Sequence, residues 1–248
     1  TPVNDVPVLA DVETAALAYT ENDVAAVVSA AITVSDLDTT TDANLDSATV
    51  SIGSGLTDGD VLAYSGSNTD ITAAYVSGTG VLTLTGSVLA SAWETALRAV
   101  TYSSSSEDPT GTQSSADRVV SFVISDGVVS SAAVTRTVTV TPVNDVPVLA
   151  GVEAGALAYT ENDVATVVSA TITVSDLDLT TDANLDTATV TIITGLTDGD
   201  VLAYSGSDVS IVSAYVAGSG TLSLSGSVSQ AVWQTALRAV TYSSSSED

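Results

Sequence analysis

The chain has 248 residues with 30 Asp and Glu against four Lys and Arg, no His and no Cys, for a formal net charge of -26. Affinity for phosphate polymers and anionic lipid surfaces needs Lys and Arg to displace counterions, so nucleic acid is excluded as a partner. Thiolate chemistry, disulfides and the usual zinc, copper and haem ligands are excluded as well, and no apolar run approaches the roughly 18 residues that would span a bilayer, so no membrane insertion is expected.

Residues 1–10 read TPVNDVPVLA, and the same ten return at 141–150. From there roughly three quarters of positions repeat as far as Asp248, the mark of one folding unit used in tandem. Repeat 1 therefore covers 1–140, with 1–9 as a linker-type entry. Repeat 2 covers 141–248 and has no counterpart of 109–140, the last two predicted strands. With no methionine and no apolar signal core at its start, the sequence reads as an internal portion of something longer.

Along repeat 1, Val, Ile, Thr and Ala alternate with small polar residues in AAITVSD, ATVSIG, GVLTLTG, VVSFVIS and TRTVTVT, the period-two pattern of half-buried strands. Turn-forming clusters separate them: TDGD at 57–60, SGTG at 77–80, SSSSEDPTG at 103–111 and SDG at 125–127. About seven to nine short strands per copy predict a β-sandwich. LTDGD at 56–60 reads as a plain hairpin turning at Gly59. One segment differs: SVLASAWETALRAV at 87–100 spaces Val88, Ala92, Trp93, Ala96, Leu97 and Val100 at helical intervals, with Ser87 as candidate cap. The prolines around 141–147 predict a short, stiff linker, hence a rod.

The polar chemistry is oxygen chemistry. Glu21, Asn22 and Asp23 come first, then Asp36 and Asp38 in SDLD, then Asp42, Asn44 and Asp46 in TDANLD; repeat 2 carries Glu161, Asn162, Asp163, Asp176, Asp178, Asp182, Asn184 and Asp186 at the same places. Carboxylate and amide oxygens gathered at strand ends suit a hard cation that takes six to eight oxygen ligands, with calcium as the expected ion.

PVNDVP resembles the Asn-Asp joint of cadherin repeats, the Glu-Asn of YTEND is similar to that near the start of a cadherin domain, and SDLD followed by Asn44 resembles the family's Asp-X-Asp and trailing Asn. The likeness is closer still to the cadherin-like (VCBS or Ig-like) tandem repeats of giant bacterial surface adhesins and matrix proteins, where a segment like ALRAVTYSSSSEDP leads to one like DRVVSFVISDGVVSSAAVTRTVTVTPVNDVPVL. That resemblance implies an all-β fold of tandem Greek-key β-sandwiches, with one short helix per repeat expected from the 87–100 segment, and calcium at the junctions. Residue by residue, it implies a junction made by Glu21, Asp117, Asn144, Asp145, Asp176 and Asp178. Asn4, Asp5, Asp36 and Asp38 would form the equivalent junction to a preceding repeat, and Glu161 that to a following one. Pro142 and Val146 stand where the family carries two further ligands.

The expected role is a non-enzymatic extender module of a large extracellular or cell-surface bacterial protein, its partners being neighbouring repeats of the same chain. Two alternatives stay open. One is the subunit of a self-assembling filament, completed by strand exchange between copies. The other is an adhesive module binding surface glycans through Tyr64, Tyr75, Trp93 or Trp233, although a lone tryptophan on an apolar helical face more commonly packs. Catalysis is not expected, because aromatic cleft walls are scarce and a nucleophilic triad needs a His or Lys base that the chain lacks.

Overall fold

A computed structural model of the chain describes residues 3–38, 43–110, 117–178 and 184–246. The chain divides into two compact units, 1–143 and 144–248. Both are all-β with one short α-helix each, and among the described residues no helix is long and apolar enough to cross a membrane.

Unit 1 contains β1 (Val8–Ala10), β2 (Leu17–Thr20), β3 (Ala26–Val27), β4 (Thr33–Ser35), β5 (Asn44–Ser54), β6 (Asp60–Tyr64), β7 (Thr72–Val76), β8 (Val81–Leu89), α1 (Ala90–Leu97), β9 (Val100–Ser104), β10 (Asp117–Ser125) and β11 (Val134–Thr141). There are more strands than expected because two- and three-residue pieces such as β1, β3 and β4 pair separately. One sheet runs β2-β11-β10-β5-β8-β7 and a second runs β3-β9-β6, while β1 and β4 form a small pair. All contacts are antiparallel except β11 with β2, which is parallel. Sequence alternation becomes alternation of burial: in β10, Arg118, Val120, Phe122 and Ile124 are buried and the residues between them are not. These side chains meet Val50, Leu62, Leu84 and Tyr102 in one core shared by the two sheets, which makes the unit a β-sandwich.

Helix α1, at eight residues, has the two turns that the 87–100 segment predicts, but Ser87 does not cap it. Strand β8 stays paired with β5 through Leu45↔Val88 and Asn44↔Leu89, so Ser87 remains extended and its hydroxyl accepts from Asn44 Nδ2 at 3.4 Å. Leu89 occupies the cap position with extended backbone and no side-chain cap bond. The helical spacing does its expected work further on, where Trp93, Ala96 and Leu97 are buried.

Unit 2 repeats this plan with β12 (Val148–Ala150), β13 (Thr166–Val167), β14 (Thr173–Ser175), β15 (Asn184–Thr191), β16 (Asp200–Tyr204), β17 (Val212–Val216), β18 (Thr221–Ser229), α2 (Gln230–Leu237) and β19 (Val240–Ser244). Its sheets are β15-β18-β17, β13-β19-β16 and β12-β14. The described residues of unit 2 contain no counterpart of β10, β11 or β2. The loss of β2 is instructive, because LAYT is present at 157–160 yet forms no strand. In unit 1 those four residues pair only with β11, so the identical peptide without that partner has no ladder to join.

Trp93 and Trp233 each sit at the centre of their unit's core, at 0% and 1% exposure. Their indole N–H groups donate to the carbonyls of Leu45 and Leu185 at 2.7 and 2.6 Å. Trp93→Ala is expected to destabilise unit 1 by about 3–5 kcal/mol, with Trp93→Phe costing less, as read from urea unfolding curves.

Candidate functional site

The candidate metal ligands fall into short frames that strand pairing builds. The β1–β4 ladder sets Val8 opposite Ser35, and the same register continued three residues outward brings Asp5 to Asp38. The Asp5 N–H donates to Asp38 Oδ2 at 2.7 Å, and the Asp38 N–H donates to Asp36 Oδ1 at 3.0 Å. Unit 2 rebuilds this frame through β12 and β14, where Val148 faces Ser175. There Asp145 N–H donates to Asp178 Oδ2 at 2.5 Å and Asp178 N–H to Asp176 Oδ1 at 3.1 Å. Asn4 and Asn144 both donate through Nδ2 to the carbonyl of the Asp that follows, at 3.1 and 2.7 Å.

Asn4 also donates to Asp126 Oδ2 at 2.9 Å, a residue the sequence reading had only as part of a turn. Asp126 additionally accepts the N–H groups of Val128 and Val129, each at 2.7 Å. Burial works to raise the Asp126 pKa, but the hydrogen bonds from Val129, Asn4 and Val128 outweigh it and hold the carboxyl below its ordinary value. Asp36 Oδ2 is buried with no hydrogen-bond partner among the described residues, a position that a cation would satisfy.

Glu21 follows β2. It is buried, its N–H donates to the Thr141 carbonyl at 2.9 Å, and its Oε2 accepts the Val143 N–H at 2.8 Å. A carboxylate oxygen of Glu107 lies within 4.8 Å of one of Glu21's, and Asn22, in the left-handed region at φ 61, donates to Glu107 Oε2 at 2.9 Å. Glu107 was not anticipated as part of this group; the available signal was the retention of SSSSED in both copies.

The other candidates are placed differently. Asp117 lies at the start of β10, where Thr139 Oγ1 donates to its Oδ1 at 2.7 Å. Glu161 is exposed, accepting from Asn162 Nδ2 at 3.2 Å. Asn44, Asp46, Asn184 and Asp186 belong to strands β5 and β15, whereas Asp42 and Asp182 lie outside the described residues.

LTDGD is not a hairpin, because the strands it joins, β5 and β6, lie in different sheets and do not pair. Gly59 makes the turn at φ 93, and the next residue, Asp60, is buried in an ion pair with Arg118 Nε at 2.9 Å, neither side chain being exposed. Asp60 Oδ1 accepts from Tyr102 Oη at 2.7 Å, while Arg118 Nη2 donates to Thr57 Oγ1 and the Pro109 carbonyl at 2.7 and 2.6 Å. Burial, then the bond to Asp60, pushes the Tyr102 phenol far above its ordinary pKa. In unit 2, Asp200 keeps the bonds from Tyr242 Oη and the Thr197 N–H, at 2.6 and 2.7 Å. Burial opposes its ionisation, but Tyr242 and Thr197 prevail and hold its pKa below the ordinary value. Removing one member of a fully buried pair strands the other, so Arg118→Met should cost unit 1 about 3–5 kcal/mol in denaturant unfolding, and adding Asp60→Leu should recover part of it.

Tyr64 and Tyr75 are half-buried against the core, and Tyr75 Oη donates to the Asp60 carbonyl at 2.7 Å. With both tryptophans interior, the sugar-stacking platform expected as an alternative loses its largest rings.

Glu13 and Glu153 perform one local task. Each accepts a serine hydroxyl (Ser29 or Ser169) at 2.6 Å and the following N–H (Ala30 or Ala170) at 2.9 Å. The Ser169 bond first, then the backbone bonds, draw Glu153 down to about 2 from 4.5. A depressed folded-state pKa contributes stability fully above the unfolded value and loses it as pH falls through the folded one. The melting temperature of unit 2 should therefore decline between pH 4.5 and about 2, and Glu153→Gln should flatten that part of the profile.

No family model matches the chain, and no curated protein does. Among solved structures it is similar to the protocadherin gamma B4 extracellular domain at 16% identity and TM-score 0.29, covering 91% of this chain and 29% of that one. It is similar also to protocadherin gamma B2 extracellular cadherin domains 1–5, at 15% identity and TM-score 0.27, covering 93% and 34%. A third likeness is the C-terminal domain of the Streptococcus agalactiae AgI/II polypeptide BspA, at 8% identity and TM-score 0.22, covering 79% and 73%. The chain thus spans about a third of the length of the two protocadherin structures.

Proposed function

We propose that this chain is a non-enzymatic structural module of an extracellular or cell-surface adhesive protein, a tandem of β-sandwiches whose junctions are stiffened by calcium. The observation that carries the reading is the twice-built frame in which a linker Asp docks by its N–H on an Asp-X-Asp turn, as Asp5 on Asp38 and Asp145 on Asp178. The frames gather Asp5 with Asp36 and Asp38, and Asp145 with Asp176 and Asp178, the kind of oxygen donors a hard divalent cation takes. Glu21, Glu107, Asn144 and Asp117 are the further ligands proposed for the junction, Asn4 and Glu161 those for junctions with other repeats.

Charge supports the same reading. At -26 the folded chain repels itself, and nearby carboxylates such as Glu21 and Glu107 gain most from a neutralising cation. A structural role agrees with a chain that lacks the His or Lys base on which nucleophilic catalysis depends.

The test combines chelation with scattering. Calcium at about 100 times its dissociation constant should stabilise the protein by about 2.7 kcal/mol and lengthen the particle seen by small-angle scattering, and EGTA should reverse both. Asp36→Asn and Asp178→Asn should each weaken the response, and magnesium should reproduce little of it. Melting temperature and particle length unchanged between calcium and EGTA would overturn the calcium role.

A further inference from the structure

We propose that Gln230 is a positioning residue for the acidic frame of unit 2, holding Asp176 where a divalent cation can use it, and that Ala90 withholds the same support from the frame of unit 1. This rests on the calcium reading above and adds the part played by the helix.

The helix stands in for a neighbouring strand. Among the described residues β14 pairs only with β12, so the backbone groups on its other edge need partners of another kind. Three side chains spaced four apart along α2 and its C-terminal cap supply them. Arg238 Nε donates to the Ile172 carbonyl at 2.8 Å, Gln234 Oε1 accepts the Val174 N–H at 3.2 Å, and Gln230 Oε1 accepts the Asp176 N–H at 3.1 Å. The match is metric: four helix residues advance about 6 Å and two strand residues about 6.5 Å, so every fourth helix position meets every second strand position.

Unit 1 has the same device with one rung removed. Arg98 Nε donates to the Ile32 carbonyl at 2.9 Å and Glu94 Oε2 accepts the Val34 N–H at 3.3 Å, so α1 lies on β4 as α2 lies on β14. The third position is Ala90, which has no side-chain oxygen to offer the Asp36 N–H. Both residues open their helix after a neighbour of nearly the same backbone, Ser229 at φ -63 and ψ 156, Leu89 at φ -62 and ψ 154. Because the other two rungs agree between the units, the contrast lies in the side chain and not in the placing of the helix.

The extra rung falls on the residue from which the frame is built. Asp176 Oδ1 accepts the Asp178 N–H, and Asp178 Oδ2 accepts the Asp145 N–H, so the first Asp of the turn orients the second and the second receives the linker. Gln230 ties the backbone of that first Asp to the helix, and the helix is held in turn by Trp233, Ala236 and Leu237 in the core. Partners one step behind the ligands keep ligand oxygens in place for an ion, and losing them costs affinity.

The experiment is a calcium titration of the full chain followed by NMR at the amides of Asp36, Asp38, Asp176 and Asp178, so that each frame reports its own dissociation constant. Gln230→Met keeps the length and apolar stem of the side chain and removes its oxygen. It should weaken binding at Asp176 and Asp178 about three- to tenfold, the worth of one hydrogen bond, and leave Asp36 and Asp38 unchanged. Ala90→Gln should strengthen binding at Asp36 and Asp38 by a similar factor. In EGTA, Gln230→Met should also speed amide exchange at Asp176, a readout of the hydrogen bond that needs no ion. Equal affinity in Gln230→Met and the parent would mean that the side chain only packs, and would overturn the proposal. So would unaltered affinity at Asp36 and Asp38 in Ala90→Gln, or unchanged exchange at Asp176. A parent chain that binds no calcium at either frame overturns the calcium role and this proposal together, whereas a parent that binds while both substitutions are silent overturns this proposal alone.

Discussion

A guanidinium lies inside the apolar interior of unit 1, on the same face of β10 as Val120, Phe122 and Ile124, and Asp60 makes that possible. The pair crosses the sandwich, because β10 belongs to the six-stranded sheet and Asp60 opens β6 in the three-stranded one. Attraction at 2.9 Å in a medium of low dielectric offsets the cost of removing both ions from water only when their remaining hydrogen bonds are satisfied. Tyr102, Thr57 and the Pro109 carbonyl satisfy them. The sheets are thereby fixed in one relative position as well as held together, since a slip by one residue would carry Arg118 to the opposite face.

The two copies share most of their sequence but not the same strand partners among the described residues. With β10 and β11 present, LAYT is a strand, Val28 is sealed and β5 runs eleven residues to Ser54; without them, LAYT is irregular, Val168 is exposed and β15 stops after eight at Thr191. What survives in unit 2 is the part whose contacts are internal to it: the β15-β18-β17 sheet, the Tyr159–Tyr242 edge-to-face pair at 5.0 Å, and the Trp233 plug. For LAYT and for Val28 and Val168 the residues are identical, so the difference lies in their packing partners; at the end of β15 the residues change as well, Gly53 giving way to Ile193 and Ser54 to Thr194.

The acidic frames obey a related logic. A linker and a turn some thirty residues apart in sequence converge because a three-residue ladder, β1 on β4 or β12 on β14, points both toward the same place. Once there, Asp38 accepts the Asp5 N–H and Asp36 the Asp38 N–H, as Asp178 and Asp176 do from Asp145 and Asp178 in unit 2, so the fold itself orients these four carboxylates. The strand pair therefore serves both the fold and the site.

Much of this was legible in the residues alone. Alternation announced the strands, the helical spacing of Trp93, Ala96 and Leu97 announced the plug, and the doubled TPVNDVPVLA announced the tandem. Asp5, Asp38, Asp145 and Asp178 stood out in the sequence as candidate oxygen ligands, and Glu107 and Asp126 did not, since only folding carries them to Asn22 and Asn4. The same holds for Asp60, which reads as one more turn residue until Arg118, 58 positions later, is laid across it. Periodicity and turn chemistry are local and so are written in sequence; which acid meets which base, and whether LAYT becomes a strand, depends on register between distant segments, which only the packed tertiary structure decides.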